Sequence, residues 1–325
     1  MKVLVIGLGS MGTRRIRLIQ KTDPAVEIAG VDTQEERRQK IKNELNINSY
    51  SDLREAVADF SPDAAFICTS PISHGAIALQ CLNSGLDIFT EINLLNDWYD
   101  EALKTAKEKN CKMFLSSTFL YRKEMEYITK AVENKKVNYI YHSGQYLPDW
   151  HPWESYKNFF VSDKRTNACR EILAIEFPWL IKAFGEIADV YSLNGKNTSL
   201  DIDFPDNYII VLQHKNGNKG VFCQDIIARK SERKLEVYAE DLHLFWDGTP
   251  QSLSVYDFND KKDVSISLYD DVNKDNRYAA NIIENAYQDE IKSFFNYLKG
   301  TETPRHSFEE DGKILDLISK IEGGK

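Results

Sequence analysis

A glycine-rich turn between two regular segments constrains the fold of this chain more than any other feature. Gly7, Gly9 and Gly12 follow the apolar run 3–6 and open a segment with helical spacing. About twenty residues later, a second apolar run ends in Asp32. A strand, a G-x-G-x-x-G turn, a helix and an acid at this distance together predict a dinucleotide-binding βαβ unit.

Each glycine of this turn has a distinct physical role. Gly7 permits the tight turn, Gly9 lets the backbone approach a pyrophosphate, and Gly12 lets the helix pack closely on the strand. The helix N-terminus adds free N–H groups and the positive end of its dipole. The rest of the predicted binding turn consists of Leu8, Ser10 and Met11.

Asp32 points to the type of dinucleotide. A carboxylate here accepts hydrogen bonds from both ribose hydroxyls of adenosine and repels a 2′-phosphate, which favours NAD over NADP. Arg37 and Arg38 are interpreted as solvated helix residues. The alternative interpretation is a glycine-rich turn that binds no ligand.

Length and charge restrict the class of protein. A chain of 325 residues suits two domains better than one core. The net charge of −9 argues against nucleic acid or an anionic membrane as the main partner. No apolar run approaches the ~20 residues that span a bilayer. The chain enters a strand at once, so we expect no signal peptide and a cytoplasmic location.

The cysteines and histidines give no sequence signal for a metal. The five cysteines are widely spaced without a C-x-x-C, and the six histidines are scattered. We therefore predict buried thiols and no metal site. Cys169 lies beside charged residues and is the one thiol with a conceivable function.

The first 121 residues predict a doubly wound Rossmann domain with a parallel sheet. Strand-like and helix-like runs alternate, and the strands are continuously apolar, as in a sheet that is buried on both faces. Strands are predicted at 2–6, 26–32, 64–69, 87–91 and 112–117, and helices at 11–21, 34–45, 52–58, 74–84 and 99–109.

Residues 122–325 predict an α+β domain for substrate binding and oligomerisation. A mostly antiparallel, open sheet is expected because its β-like runs are separated by turns such as 215–217 and 247–250. Strands are predicted at 138–146, 190–193, 208–214, 220–224, 235–238 and 242–246, and helices at 169–184, 282–298 and 308–321.

Three local stretches resemble one enzyme family. Residues 68–74, 87–91 and 309–315 are similar to the corresponding parts of the glucose–fructose oxidoreductase / inositol dehydrogenase / rhizopine-catabolism (Gfo/Idh/MocA) family. The aromatic stretch 145–153 further resembles members near nucleotide-sugar and surface-polysaccharide pathways. The resemblance implies hydride transfer between NAD(P) in the first domain and a sugar or polyol presented by the second.

The same resemblance implies cofactor contacts beyond the glycine turn. Thr69, Ser70 and Pro71 would approach the cofactor where the strands end, and Glu91 keeps the family glutamate after the fifth strand. His74 either lies near the cofactor or caps backbone groups of the helix that it opens.

Two customary catalytic groups of the family are replaced in this chain. The family carries Glu-Lys-Pro after its fifth strand, whereas here Ile92 and Asn93 follow the glutamate. Its usual aspartate and histidine on the later helix correspond to Glu171 and Ile175. An isoleucine cannot transfer a proton, so other groups must do so if the chain is an active enzyme.

Four residues of the second domain are candidates for that proton transfer. Lys164 and Tyr156 could replace the lysine, or they are surface groups beside a loop. Glu171 could act as the acid/base or accept a sugar hydroxyl. His151 could shuttle a proton, or it packs between aromatic rings. Trp150 and Trp153 could stack on a sugar or cover a core or an interface.

Three functions remain open from the sequence. The first is an NAD-dependent oxidoreductase of carbohydrate metabolism that acts on a hydroxyl-bearing carbon of a sugar, sugar derivative or nucleotide-sugar. The second is a protein that binds NAD and a sugar without turnover, as a sensor or assembly subunit. The third is an epimerase or lyase with tightly bound NAD.

The antiparallel sheet should offer a broad face with apolar and aromatic residues such as Tyr208, Phe222 and Phe245. The resemblance implies a homo-oligomer, a dimer or tetramer, formed through that sheet; the alternative is that helices of the same chain cover this face.

Overall fold

The computed structural model describes residues 1–152, 154–275 and 281–323, and the chain forms two compact units. The first combines Met1–Ser117 with Tyr287–Gly312, and the second combines Thr118–Ala286 with Lys313–Lys325. The predicted boundary after residue 121 assigns 287–312 to the second domain, whereas the structure groups this segment with the first unit. The cause is aromatic packing, because Phe294 contacts the rings of three phenylalanines of the first unit: Phe66, Phe89 and Phe114.

The first unit contains a six-stranded parallel sheet, as predicted. The strand order β3-β2-β1-β4-β5-β6 is that of a doubly wound dinucleotide-binding fold. Its strands are β1 Lys2–Ile6, β2 Glu27–Val31, β3 Asn48–Tyr50, β4 Ala64–Ile67, β5 Asp87–Thr90 and β6 Met113–Leu115. Its helices are α1 Ser10–Thr22, α2 Glu35–Leu45, α3 Leu53–Phe60, α4 Pro71–Asn83 and α5 Tyr99–Lys109.

Local side-chain chemistry sets several helix ends in this unit. Asp52 caps α3, because its Oδ1 accepts hydrogen bonds from the amides of Arg54 and Glu55 at 2.9 and 3.0 Å. Asn46 and Asn110 end α2 and α5 in the left-handed conformation, each with φ of 54°. Asparagine tolerates this conformation better than other residues that carry a Cβ. Each helix therefore ends at its asparagine, where the backbone can change direction.

The second unit contains an eight-stranded sheet in the order β14-β13-β12-β11-β7-β10-β9-β8. Only the β7–β10 pair is parallel among the strands described, so the predicted fold class is confirmed. The strands are β7 Asn138–Gly144, β8 Ile187–Gly195, β9 Asn207–His214, β10 Lys219–Asp225, β11 Glu232–Ala239, β12 Leu242–Trp246, β13 Ser254–Asp257 and β14 Lys262–Ser265. The remaining α-helices among the described residues are α6 Lys123–Val132, α7 Ala168–Phe184, α8 Glu284–Leu298 and α9 Phe308–Glu322.

Helix α7 covers one face of this sheet. Phe177 contacts the ring of Phe222 at 6.0 Å, and Trp179 contacts Tyr141 at 5.2 Å. The prediction that Tyr208 and Phe222 belong to an open face is wrong, because both are buried on the covered side. Successive side chains of a strand point to opposite faces of the sheet, so an assignment that is shifted by one residue places the side chains on the wrong face.

The opposite face of the sheet carries apolar side chains that the chain leaves exposed. They lie on the four neighbouring strands β8, β9, β10 and β7, and we call this set the open face. Its residues are Tyr191, Leu193, Ile209, Val211, Val221 and Ile140. In the part of the chain that the structure describes, no helix is long and apolar enough to cross a bilayer.

Candidate functional site

The glycine turn forms a close-packed cradle with one open position. A Cβ on Gly12 would lie 1.8 Å from the carbonyl oxygen of Gly7. A Cβ on Gly7, whose φ is +91°, would lie 2.7 Å from the carbonyl oxygen of Cys68. A Cβ on Gly9 would instead meet only the guanidinium of Arg37, at 3.8 Å. Neither Gly7 nor Gly12 has room for a side chain, whereas the backbone at Gly9 is accessible, which fits the approach of a pyrophosphate.

Helix α1 begins directly at this cradle. Its N-cap is Gly9, which has no side chain to cap the first turn, and the turn contains no acidic residue. The N-terminus of a helix attracts anions through its N–H groups and its dipole. Met11 is half-buried, whereas Leu8 is buried against Gly30. Leu8 therefore contributes its backbone amide and its packing to the turn.

Asp32 lies at the end of β2 and is held beside the glycine turn. Its Oδ2 accepts a hydrogen bond from the amide of Leu8 at 2.8 Å, and its Oδ1 accepts one from the amide of Gln34 at 2.9 Å. Each carboxylate oxygen can accept more than one hydrogen bond, so this carboxylate can still accept ribose hydroxyls.

Arg37 and Arg38 are more closely engaged than the sequence reading assumed. Arg37 Nη1 lies 3.4 Å from Asp32 Oδ2, and Arg38 Nη1 donates to the carbonyl oxygen of Asp32 at 2.6 Å. The Arg37 side chain remains 46% exposed, so it is a cation that solvent can still reach. The sequence contained one indication of these contacts, because Arg37 and Arg38 follow Asp32 by only five and six residues and lie near the start of α2.

The loop after β4 packs against the glycine turn. A Cβ on Gly7 would lie 2.9 Å from the Thr69 side chain, so this loop adjoins the cradle. Ser70 is the N-cap of α4, and Pro71 is its first residue, where the missing N–H of proline costs nothing. Thr69, Ser70 and Pro71 are thus brought to the carboxyl edge of the parallel sheet, where such folds bind their ligands.

His74 positions this loop from inside the unit. It is fully buried, with Nδ1 2.6 Å from Asn93 Oδ1 and Nε2 3.0 Å from the carbonyl oxygen of Thr69. Burial lowers the pKa of His74, so the neutral ring bridges the Asn93 side chain and the Thr69 backbone. Asn93, which replaces the family proline, is a functional candidate that the sequence reading did not assign.

Glu91 belongs to a buried ion network of the first unit. Arg15 Nε donates to Glu91 Oε1 at 2.5 Å, and Arg15 Nη2 donates to Glu290 Oε2 at 2.7 Å. Ser116 and the amide of Ser117 also donate to Glu290. The Glu91 carboxylate is thus engaged by Arg15. The cofactor contact predicted for Glu91 stays a prediction.

Glu171 is a half-buried residue of the second unit with one buried carboxyl oxygen. It lies in the first turn of α7, and its Oε2 has no hydrogen-bond partner among the residues that the structure describes. Burial raises its pKa to about 8. A carboxyl group that titrates near neutral pH is suited to donate and accept protons, and such groups concentrate at functional sites.

Glu176 lies on the same helix, five residues after Glu171, and its carboxylate is surrounded by hydrogen-bond donors. Its carboxylate accepts hydrogen bonds from Arg233 Nε at 2.8 Å, Tyr141 Oη at 2.7 Å and Trp179 Nε1 at 2.6 Å. All of these groups donate to it, so Glu176 holds α7 against the sheet. Glu176 therefore accepts several hydrogen bonds, whereas Glu171 Oε2 accepts none from the described residues.

The other three proton-transfer candidates lie on the segment between β7 and α7. Lys164 is exposed. Tyr156 Oη accepts a hydrogen bond from the amide of Asp201 at 3.2 Å. His151 Nδ1 lies 3.0 Å from Glu154 Oε1, and its ring is 4.8 Å from that of Phe159. His151, Tyr156 and Trp150 line a cavity of only about 10 Å³, the space of one water. Trp153 lies outside the described residues.

Cys169 is a core residue of α7. Its side chain is fully buried, and burial raises the pKa of its thiol. A thiol of this kind is mostly protonated and inaccessible, so it is a poor nucleophile.

The first unit thus combines a glycine cradle, a helix N-terminus and an acid at the end of β2 on a doubly wound sheet, which is the architecture of a dinucleotide-binding fold. Residues 1–117 match the model of an oxidoreductase family with an NAD-binding Rossmann fold. This match, together with the similarity to a dehydrogenase reported below, supports the predicted resemblance to the Gfo/Idh/MocA family of oxidoreductases.

Known proteins resemble the chain over nearly its whole length. It is 22% identical to a myo-inositol 2-dehydrogenase of Thermotoga maritima, with 98% of this chain and 94% of that protein covered. Its fold matches the UDP-N-acetylglucosamine 3-dehydrogenase GnnA of Acidithiobacillus ferrooxidans at 16% identity and a TM-score of 0.76, covering 99% and 97% of the chains. It also matches the WlbA dehydrogenase of Bordetella pertussis, solved with NADH and UDP-GlcNAcA, at 15% identity and a TM-score of 0.77, covering 99% and 96%.

Proposed function

We propose that this chain is an NAD-dependent oxidoreductase that acts on a hydroxyl-bearing carbon of a sugar, a sugar derivative or a nucleotide-sugar. The glycine cradle beside Asp32 carries the proposal, because Gly9 leaves room for a pyrophosphate next to an acid that can accept ribose hydroxyls. The similar proteins named above support the substrate class, since they are dehydrogenases of a polyol and of nucleotide-sugars.

Different residues of the chain would bind the cofactor and transfer the proton. The turn 7–12 would hold the pyrophosphate, Asp32 the adenosine ribose, and the loop 69–71 the adjoining part of the cofactor. When bound, the nicotinamide supplies the hydride acceptor or donor. Glu171 would take the hydroxyl proton when the alcohol is oxidised and return it when the ketone is reduced.

The direct test measures binding and turnover on the same preparation. Calorimetry with NAD⁺ and NADH should detect binding, and NADH absorbance should rise with at least one member of a panel of polyols and nucleotide-sugars. The panel should include myo-inositol and UDP-N-acetylglucosamine, the compounds named for similar proteins. Absence of binding by both forms of the coenzyme would remove the proposal.

A second candidate function is NAD and sugar binding without turnover. The observation that favours it is the presence of Ile92 and Ile175 where the family has its lysine and histidine. It predicts calorimetric binding of NAD with no change in NADH absorbance for any substrate. The third candidate, internal redox chemistry, predicts that NAD co-purifies and that turnover needs no added coenzyme.

The preference for NAD gives a specific prediction. Asp32→Asn removes the charge that repels a 2′-phosphate and leaves Arg37 beside the open position at Gly9. We expect the ratio of kcat/KM for NADP to that for NAD to rise about tenfold or more, the scale of one hydrogen bond to a charged group. Initial rates with both coenzymes measure this ratio.

Two further variants separate the charge effect from general damage. Glu36→Gln removes one exposed negative charge from α2 and should leave the ratio unchanged. Asp32→Asn combined with Arg37→Ala should lose most of the gain in NADP use. An unchanged ratio in Asp32→Asn contradicts the assignment of Asp32 to the ribose.

We also propose that two copies of the chain associate through the open face. Contiguous exposed apolar side chains commonly mark a protein interface, and a two-fold axis lets one such surface pair with itself. Val211→Glu should place a charge in this surface and shift the protein to monomers in light scattering after size-exclusion chromatography. Ile72→Glu, at an exposed apolar position of α4, should not. Equal masses for wild type and Val211→Glu would contradict the interface.

A further inference from the structure

Strands β7 and β10 bring together a histidine, a cysteine and an aspartate that are distant in the sequence. His142 lies beside Cys223 in the register of the two strands, and Asp225 lies two residues further along β10. One ligand atom from each residue lies within 4.8 Å of the others. The sequence reading assigned no metal ligand because the spacing from His142 to Cys223 matches no metal-binding motif.

The aspartate of this cluster is held in a fixed orientation. Asp225 Oδ1 accepts hydrogen bonds from the amides of Ile227 and Ala228 at 2.9 and 2.8 Å. Its Oδ2 is directed at His142 Nε2, 2.7 Å away. Gly144 leaves the necessary space, because a Cβ there would lie 2.6 Å from Asp225 Oδ1. One oxygen is therefore anchored by the backbone, and the other is aimed at the imidazole and the thiol.

We propose that His142, Cys223 and Asp225 bind a transition-metal ion of the Zn²⁺ type. Imidazole, thiolate and carboxylate are the ligands that Zn²⁺ uses in proteins, whereas Ca²⁺ and Mg²⁺ require oxygen ligands. The amide hydrogen bonds to Oδ1 are the outer-shell contacts that orient a ligating carboxylate. Three protein ligands leave one tetrahedral position for water.

The ligand atoms must shift to accept the ion. Ligand atoms about 2.0 Å from a tetrahedral metal are about 3.3 Å apart, so the 2.7 Å contact between His142 Nε2 and Asp225 Oδ2 must widen. The three ligand atoms now lie within 4.8 Å of one another, so the more distant of them must move closer.

His142 and Cys223 lie on the same side of the sheet as Ile140 and Val221 of the open face. In a single copy of the chain the His142 side chain is 33% exposed and the Cys223 side chain is half-buried, so the imidazole can turn and the ion can enter before two copies associate. On binding, the thiol releases its proton to solvent. The neutral imidazole binds the metal through Nε2 and carries its proton on Nδ1, so any proton on Nε2 moves to Nδ1 by exchange with solvent.

This inference is independent of the proposed oxidoreductase function. The rival interpretation is a histidine–aspartate ion pair with a neighbouring core thiol that does not participate. The two interpretations differ in the role of sulfur, because only the metal site requires the Cys223 thiolate as a ligand. The test must therefore report on a metal–sulfur bond.

The experiment titrates Co²⁺, a spectroscopic substitute for Zn²⁺, into the metal-free full-length protein. Wild type should develop the intense thiolate-to-cobalt charge-transfer band together with tetrahedral ligand-field bands, and one equivalent of Zn²⁺ should remove both. Cys223→Ser should abolish the charge-transfer band. Cys111→Ser, which removes another partly exposed thiol in the first unit, should leave it unchanged.

Two further variants test the geometry. Asp225→Asn should weaken Co²⁺ binding at least about tenfold, and Gly144→Ala should do the same by displacing the carboxylate without removing any ligand. Zn²⁺ should also raise the unfolding temperature of wild type but not of Cys223→Ser. A spectrum without a charge-transfer band, or one that Cys223→Ser retains, would overturn the proposal in favour of the simple ion pair.

Discussion

Glu171→Gln is expected to lower kcat by about 10²–10⁴-fold, the usual contribution of a general acid–base group. Glutamine has nearly the same shape but cannot accept or donate a proton at neutral pH. Glu171 is half-buried, its buried Oε2 has no hydrogen-bond partner in the described chain, and its pKa is raised to about 8. Steady-state rates of wild type and variant, with a substrate found in the panel, measure the loss.

The pH dependence should have a definite sign. Oxidation of the alcohol requires the carboxylate form of Glu171, so kcat/KM should rise with pH until about 8 and then level off. Reduction of the ketone requires the protonated form, so kcat/KM should fall above about pH 8. Both limbs should disappear in Glu171→Gln. Lys164→Ala and Tyr156→Phe provide the comparison. If a lysine or a tyrosine were the base, kcat/KM would change over a different pH range.

Stability separates a proton-transfer role from a structural one. The pKa of Glu171 rises from 4.5 to about 8 on folding, so the native state holds an extra proton between these pH values. The free energy of unfolding of wild type should therefore decrease as pH rises from 4.5 to about 8, by at most about 5 kcal/mol. Glu171→Gln should flatten this dependence and be at least as stable as wild type at pH 8. A less stable variant with normal kcat would contradict the assignment.

The sequence predicted the first unit closely because its information is local. The G-x-G-x-x-G turn and the apolar strands each specify structure within a few residues, and the helix at Tyr99–Lys109 has the predicted bounds. Three strands were missed, at Asn48–Tyr50, Ser254–Asp257 and Lys262–Ser265. They are three or four residues long and half-buried or exposed, so they lack a clear hydrophobic period.

The site contacts were harder to predict because they join distant parts of the chain. Nothing near Glu91 in the sequence indicates that Arg15 and Glu290 will surround it. Tyr208 and Phe222 were assigned to the wrong face, whereas Phe245 lies on the same side of the sheet as Ile140. Strand alternation gives two sets of residues, and only the position of α7 decides which set is covered. Glu171 was selected by its alignment with the family aspartate, but the lack of a partner for its Oε2 could be seen only in the fold.

Arg15→Met is expected to lower the free energy of unfolding at neutral pH by about 3–5 kcal/mol, the cost of removing one partner from a buried ion network. Methionine keeps much of the side-chain volume but leaves Glu91 and Glu290 without their shared cation. Burial already raises the pKa of Glu290, and Arg15 opposes that rise. Urea denaturation of wild type and variant measures the difference in free energy.

The origin of this loss can be tested by pH and by compensation. Without Arg15, the pKa of Glu290 rises further, so the carboxyl binds a proton on folding and the deficit should shrink as pH falls. Adding Glu91→Gln and Glu290→Gln to Arg15→Met should restore much of the stability, because no buried charge is left unpaired. Arg54→Met, at an exposed position of α3, should change stability by less than about 0.5 kcal/mol.

The network also joins the elements that carry the proposed cofactor site. Arg15 belongs to α1, whose first turn follows the glycine cradle, while Glu91 follows β5 and Glu290 belongs to α8. If this network sets the position of α1, Arg15→Met should weaken NAD binding in calorimetry under conditions where the variant is still folded. Arg54→Met should bind NAD as wild type does. Normal NAD affinity in folded Arg15→Met would show that the network stabilises the unit without shaping its phosphate cradle.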